Sequence, residues 1–305
     1  RVFYWQGRVS PDEIAAETVS FQMAPRLNSA GRIGDPMDSY KLLTTTSPDE
    51  ANTLTKRLES LNMERRSATE EAYAIAHRRV EELGELPPLL VISDERFLRG
   101  VAGLIAGRLV DRYRRPAIVI AIEGEYSLAS GRSIPEFNIV AAMESCEHLL
   151  IRFGGHSQAA GLTVLTKDIP PLKAGLEAYG DRSLDTRNLV RRVEIDAVIT
   201  LDELDDQMTS WINYLEPYGP GNTRPTFASM RVKVTDHFLM GREQQHLRLN
   251  IDANGKQFTA LAFNQSNKWK SNTSYVDLAY TVTNDSFRGK GAIALRLIDF
   301  KASHD

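Results

Sequence analysis

The sequence predicts an α/β fold: a long connector helix, an α/β domain with a mixed sheet, and then a five-stranded β-barrel. Three observations lead there. An apolar stripe recurs at three- and four-residue spacing after Ser47, and no Gly or Pro follows Pro48 until Gly84. From Leu89 to Leu165, short apolar runs alternate with amphipathic stretches, the pattern of strands covered by helices. Beyond Ser229, five segments rich in β-branched and aromatic residues fall within about 80 residues, separated by turns such as Asn254-Gly255.

Each element has a local reason. Ser10-Pro11-Asp12-Glu13 predicts a helix start: Ser as N-cap, Pro at the first helical position, Glu three residues after the cap. Ser47-Pro48-Asp49-Glu50 repeats that logic. It is followed by Ala51, Leu54, Leu58, Leu61, Ala68, Ala72, Ile75, Val80 and Leu83. This predicts one helix of about 36 residues, on the order of 54 Å, used as a connector between lobes or in a short coiled coil. Leu89–Ile92 reads as a strand, Val101–Tyr113 as a helix, and Ala117–Ile122 as a buried strand because it is apolar without alternation. Tyr126–Ser133 is a further strand, Asn138 caps a helix running to Leu150, Leu162–Leu165 is a strand, and Pro170-Pro171 opens a helix. Near Arg191 the pattern shifts: Val193–Thr200 alternates, a short helix carries Trp211, and a Gly/Pro-rich turn runs from Pro217 to Pro225. The five strands are Ser229–Phe238, Gln245–Ile251, Gln257–Phe263, Tyr275–Thr283 and Ala292–Phe300. They predict a small closed barrel, of which the oligonucleotide-binding fold is the common five-stranded form.

Composition excludes several classes. The 305 residues, 42% hydrophobic and 25% charged, are neither disordered nor collagen-like. Cys146 is the single cysteine, so no disulfide framework or thiolate metal cluster is expected. No apolar run approaches the roughly 20 residues that span a bilayer, and the start lacks the features of a secretory signal. A soluble, cytoplasmic protein without a membrane partner is expected. The chain begins without Met, on Val2, Phe3, Tyr4 and Trp5, which predicts a piece of something longer. The net charge of −3 announces no nucleic-acid partner, yet six arginines face one acid, Asp111, between Arg96 and Arg115. That excess is either a phosphate-attracting patch or a solvated helix face.

Four strings could carry chemistry. Gly154-Gly155-His156-Ser157-Gln158-Ala159-Ala160-Gly161 reads as a glycine turn, either structural or a phosphate nest beside the donor His156. Ser130 and Arg132, two apart at the end of a strand, would share one face and suit forked recognition of a phosphate. Pro25-Arg26-Leu27-Asn28-Ser29-Ala30-Gly31-Arg32 combines small residues, a Gly turn and two arginines that are either structural or functional. Tyr218-Gly219-Pro220-Gly221-Asn222-Thr223-Arg224-Pro225 reads as a stiff inter-domain turn. No P-loop, GxSxG or HExxH occurs, the six histidines lack metal-ligand spacing, and Asp205-Asp206 diverge by about 100° on a helix. His77 reads as solvated on the long helix and His246 as a surface residue beside Arg248. No metal-assisted hydrolytic centre can be assembled.

These strings, in this order, resemble the RecJ family of single-stranded-DNA-specific exonucleases within the DHH phosphoesterase superfamily. PRLNSAGR resembles the close of that family's catalytic domain, and the long helix its inter-lobe connector. RGVAGLIAGRLVDRYRRP, SGRSIPEF and RFGGHSQAAGLTV resemble its DHH-associated domain, and LEPYGPGNTRPTF the entry to its oligonucleotide-binding barrel. The resemblance runs from about Ile14 to Phe300. It implies residues 1–46 as a remnant of the catalytic domain, 47–86 as the connector, 87–190 as the DHH-associated α/β domain and 191–305 as the oligonucleotide-binding domain.

The resemblance further implies 5′-to-3′ hydrolysis of single-stranded DNA with Mn2+ or Mg2+. The metal ligands, an Asp-His-His string among them, lie in a region that is missing here, so catalytic and metal residues are none. What carries over is a nucleic-acid site: Ser130 and Arg132 on the 5′-phosphate, His156 with Gly154 and Gly155 near the scissile position, and Arg32 with Arg26 closing the pocket. The barrel would hold the trailing strand through candidates Arg231, Lys233, Arg248 and Phe263. One departure is Arg96-Phe97-Leu98-Arg99 before Gly100, where relatives often place a Trp-His pair. Implied partners are single-stranded DNA with a 5′-phosphate and single-strand-binding protein, with the chain a monomer. The other readings are a non-catalytic single-strand-binding module and a phosphodiesterase acting on short RNA, the barrel arguing against the latter.

Overall fold

The computed structural model describes residues 14–189, 192–271, 273–284 and 293–303, so the helix start expected at Ser10–Glu13 lies outside the described residues. The chain divides into two units, residues 1–191 and 192–305, each with its own apolar core. None of the described helices is long and apolar enough to cross a membrane.

The first unit opens with α1 (Ala24–Ile33) and α2 (Pro36–Thr44). The segment expected to turn at Gly31 is helical instead: Pro25 sits in its first turn, where a missing N–H costs nothing. Asp35 starts α2 by accepting the Met37 amide at 2.9 Å. The connector is α3 (Pro48–Glu81), 34 residues long, with the Ser47 hydroxyl accepting the Glu50 amide at 3.4 Å. Its inward stripe is Leu54, Leu58, Asn62, Thr69, Ala72, Ala76 and Val80.

The sheet of this unit comprises β1 (Leu90–Asp94), β2 (Ala117–Ala121), β3 (Tyr126–Arg132), β4 (Leu150–His156) and β5 (Ala159–Leu165) in the order β1-β2-β3-β5-β4. The sheet is mixed as expected, with β1–β2 its one parallel pairing. Helix α4 (Arg99–Tyr113) packs on β2 and β3 and contacts α3. Helix α5 (Ile139–Glu144) lies on the opposite face, where a Cβ on Gly131 would fall 2.5 Å from Ile139 Cδ1. Helix α6 (Ile169–Ser183) packs against β1 and α5. Asn138 caps α5 through the amides of Val140 and Ala141, but the helix ends at Glu144, because Leu150–His156 is drawn into the sheet by β5.

The second unit begins with β6 (Ala197–Val198), shorter than the alternation of 193–200 predicts because only two residues pair with β7. Helix α7 (Asp206–Tyr214) follows, and the carboxylate of Asp205 caps it at Met208 N, which is the use made of the adjacent acidic pair. The strands are β7 (Phe227–Met240), β8 (His246–Ala253), β9 (Lys256–Ala262), β10 (Tyr275–Asn284) and β11 (Ile293–Ala302). They run β10-β11-β9-β8-β7, and a β10–β7 pairing closes the five-stranded barrel. Only β9–β11 is parallel within it. The Greek-key order is that of an oligonucleotide-binding barrel. Leu247, Leu249, Ile251, Ala260, Leu295 and Tyr280 fill its interior. The string from Tyr218 to Pro225 lies inside this unit, where Arg224 pairs with Glu216 at 2.8 Å and covers the Tyr218 ring at 4.4 Å.

Candidate nucleic-acid interface

The sheet of the first unit builds a shelf by register. Arg132 on β3 pairs with Ala159 on β5, which pairs with His156 on β4. One row along, Ser130 pairs with Gly161 and Gly161 with Gly154. Directly opposed residues share a face, so the side chains of Arg132, Ala159, His156 and Ser130 point the same way, with Gly154 and Gly161 between them adding none. Arg132 and His156 stand two strand spacings apart, about 10 Å, with only small residues between them. The next row ends in Arg152, whose Nε donates to Thr163 Oγ1 at 3.1 Å. Arg152 is a cation on this face that the sequence reading did not single out.

The two glycines of the GGH string differ. Gly155 has φ +144°, and a Cβ there would lie 2.4 Å from the Ala159 carbonyl oxygen, so the backbone requires glycine. Gly154 has no such reason: a Cβ would meet nothing within 4 Å. Its missing side chain leaves the shelf open above β4. The string is not the turn expected from its composition. Gly154, Gly155 and His156 lie on an edge strand, and the turn is Ser157-Gln158. That turn presents carbonyls, which accept from the amides of Ser133 at 2.9 Å and Ile139 at 3.0 Å, so it is no amide nest.

Beside the shelf, three helices converge. The C-terminal end of α1 meets the start of α4 so closely that a Cβ on Gly100 would fall 1.9 Å from the Arg32 carbonyl oxygen. Arg32 Nη1 donates to Gly100 O at 2.9 Å. On the other side of α1, a Cβ on Gly34 would sit 2.9 Å from Leu61 Cδ1 of α3. A cavity of 630 Å³ opens at this junction, lined by Arg32, Glu64, Leu98, Arg99, Ala102 and Ser130 among others. No side chain caps α4, and its first turn holds no acid, so the amide end of the helix dipole adds positive potential there.

Charge in this region is uncompensated. Among the described residues Arg32, Arg65, Arg99 and Arg132 form no ion pair, and the Ser130 hydroxyl has no protein partner. Arg132 donates to the Gly131 carbonyl at 2.7 Å, leaving its Nε and second amino group free. Burial, and then the positive charge of Arg32, hold the Arg132 guanidinium below its usual range. Arg65 of α3 is likewise lowered, by burial first, then by Arg32 and Arg66. The carboxylates Glu64 and Glu123 also line the cavity but are exposed, where solvent screens them. Arg26 is different: Glu59 of α3 takes its Nε and one amino group, and the Gln22 carbonyl takes the other at 2.6 Å. The structure thus gathers Arg32, Ser130, Arg132, Gly154 and His156 within one unit and commits Arg26 to helix packing.

Arg65 was missed by sequence reading, yet a signal existed. It continues the inward stripe of α3 at the spacing Leu58, Asn62, Arg65, Thr69, where polar residues interrupt the apolar series. His77 is not solvated as expected: it is hydrogen-bonded to Tyr113, stacked on Tyr73 and 3.3 Å from Glu81. Among the described residues no group of three His, Cys, Asp or Glu side chains could hold a metal ion. The ligands of the Mn2+ or Mg2+ site that the resemblance implies for the whole protein are thus not among the described residues.

The barrel carries a second basic surface. Phe238, Arg248, Leu261 and Arg296 are consecutive register partners across β7, β8, β9 and β11. Arg248 lies over the Phe238 ring at 5.6 Å and Arg296 over Phe263 at 5.6 Å, with His246 edge-on to Phe263 at 5.4 Å. Phe238 and Phe263 are 45% and 46% exposed, so their faces are available. Arg231 and Lys233 are elsewhere, lining a cavity of 570 Å³ with Tyr275, Asp202 and Glu203. Of the four barrel candidates, the structure joins Arg248 and Phe263 and separates them from the other two.

The chain thus joins an α/β unit with an arginine-rich junction to a closed barrel with an aromatic and basic face. Residues 87–179 match the DHHA1 domain and residues 195–299 the RecJ OB domain. The chain is 32% identical over 255 residues to the single-stranded-DNA-specific exonuclease RecJ of Bacillus subtilis strain 168, a match covering 83% of this chain and 32% of that protein. Crystal structures of RecJ from Thermus thermophilus with Mn2+ and with Mg2+ superpose with TM-scores of 0.84 and 0.82 at 26% identity. They cover 100% of this chain and 44% and 46% of those chains, so the chain spans a third to a half of the relatives it matches.

Proposed function

We propose that this chain is the DNA-gripping portion of a 5′-to-3′ single-stranded-DNA exonuclease of DNA repair and recombination. The observation that carries the proposal is the cluster of arginines without carboxylate partners beside a shelf floored by Gly154, Ala159 and Gly161. Ser130, Arg132 and Arg32 hold a terminal 5′-phosphate, and His156 and Arg152 meet the backbone that follows. The grip positions the strand and neutralises its charge. Hydrolysis by the whole protein would use Mn2+ or Mg2+ on ligands that are not among the described residues, and residues 1–46 would be the end of the domain supplying them. The Phe238–Arg296 face of the barrel holds the rest of the strand by stacking and cation contacts. A cytoplasmic monomer that meets single-strand-binding protein belongs to the same proposal.

The test is titration of labelled single strands with and without a 5′-phosphate. The expected result is micromolar or weaker binding that weakens with salt, tighter for the phosphorylated strand. Arg132→Ala should remove that preference. Binding that ignores salt, or a variant that keeps the preference, overturns the assignment. An Asp-His-His string encoded upstream of Arg1 separates an exonuclease from a binding module without catalysis.

A further inference from the structure

We propose that Arg65, standing behind Arg32 on the connector helix, is a positioning residue that sets the charge preference of the phosphate pocket, favouring a dianionic monoester over a monoanionic diester. The inference rests on the pocket reading above and adds to it a residue from an element that reading does not use.

The geometry is specific. Arg65 lies on the inward stripe of α3, one turn beyond Leu61, the residue against which Gly34 packs at the end of α1. Its guanidinium is oriented by Asn62, whose Oδ1 accepts from Nη2 at 2.9 Å. Its Nε is buried and has no hydrogen-bond partner. A buried donor without a partner is a cost to the fold, and a cation without a counter-charge adds to it. The neighbouring charges that bear on Arg65 are Arg32 and Arg66, both positive. Arg32 is in turn the charge that bears on Arg132. Arg32 stands between the other two cations, its charge bearing on both, and of the three only it lines the cavity. Arg65 therefore acts through Arg32. It raises the positive potential at the cavity.

The potential matters most for the second negative charge of the ligand. A phosphate monoester carries nearly two charges above its second ionisation near pH 6, a diester only one. Removing one cation from behind the pocket should cost the dianion about twice what it costs the monoanion, since the interaction scales with ligand charge.

The experiment uses this chain, with methyl phosphate and dimethyl phosphate as probes at pH 8 and constant ionic strength. Binding is read as the rise in melting temperature with probe concentration. Wild type should bind methyl phosphate more tightly than dimethyl phosphate. Arg65→Met should lower that ratio by about fivefold, and Arg65→Lys should restore most of it. Arg66→Met, an exposed neighbour, should leave it unchanged. If Arg65→Met keeps the wild-type ratio while Arg132→Ala loses it, the pocket stands and the role of Arg65 falls. If wild type itself does not distinguish the probes, the pocket reading fails and takes this inference with it. Should Arg65→Met fold poorly, the ratio in Arg65→Lys and Arg65→Gln decides, because only the former keeps the charge.

Discussion

The two units handle arginine in opposite ways. In the first, Arg32, Arg65 and Arg132 are part-buried and backed by an uncapped helix start, and burial and then the charge of Arg32 lower the other two. In the barrel, Arg248 and Arg296 lie over the rings of exposed phenylalanines. The first arrangement concentrates positive potential on a small volume, which suits a terminal phosphate. The second spreads modest charge along π-faces, which suits a run of bases of any sequence. A net charge near neutrality conceals both, because each depends on placement.

The sharpest way to break this comparison is a pair of substitutions. Arg132→Ala should weaken binding of a 5′-phosphorylated strand by about 10- to 100-fold and leave a 5′-hydroxyl strand nearly unchanged, since a charged hydrogen bond is worth about 1.5–3 kcal/mol. Phe238→Ala should weaken both strands equally, by about 5- to 100-fold for one lost stack. Fluorescence anisotropy with the two strands decides. Equal loss in both variants would erase the distinction between the units.

Gly154→Val comes next. A Cβ at that position meets nothing, so the melting temperature should hold or rise while affinity for the phosphorylated strand falls by about tenfold. A stable variant with full affinity would show that the strand does not cross the shelf.

A smaller effect separates the cations by salt. Arg248→Ala should reduce the slope of log affinity against log salt by about 0.7, the value for one phosphate on a single strand. An unchanged slope would mean that Arg248 serves the Phe238 ring rather than a phosphate.

The smallest expected effects are in stability against pH, and the units again differ in sign. In the first, Arg96 grips the Asp94 carboxylate through two guanidinium hydrogen bonds and one from its backbone amide, and Arg79 adds a fourth, which holds it well below the usual carboxylate range. Its contribution is present above the ordinary aspartate pKa and is lost as pH falls toward the depressed value. In the barrel, burial pushes the Tyr280 hydroxyl up to about 12, partly offset by its hydrogen bond with Ser229. That contribution is complete below about pH 10 and is lost as pH rises through the shifted value. Asp94→Asn should flatten the acid limb of a pH melt and Tyr280→Phe the alkaline limb. Either variant leaving its limb unchanged would remove that group from the account.

Several features were legible because their causes are local. Ser47-Pro48 announces α3 by capping, and the heptad-like stripe carries it to Glu81. Asn138 caps α5 as its side chain predicts. The five barrel strands lie within a few residues of their predicted ends, because β-branched runs between turns leave little choice. Ser130 and Arg132 share a face because a strand has a period of two. The GGH string was misread as a turn because two glycines signal a turn locally, whereas pairing with β5 placed them in a strand.

The sequence by itself determined the classes of both units, the capped helices and the alternation that aims Ser130 and Arg132 together. Tertiary structure alone decided which arginines are free. Arg26 and Arg32 stand six residues apart on one helix. Glu59, far along the chain, neutralises the first, while the second meets a helix start and other cations. Capping and periodicity act within a few residues and can be read from them. Whether a charge is compensated depends on which groups the fold brings within a few ångströms, and for Arg32 and Arg65 those groups come from α1, α3 and α4 together.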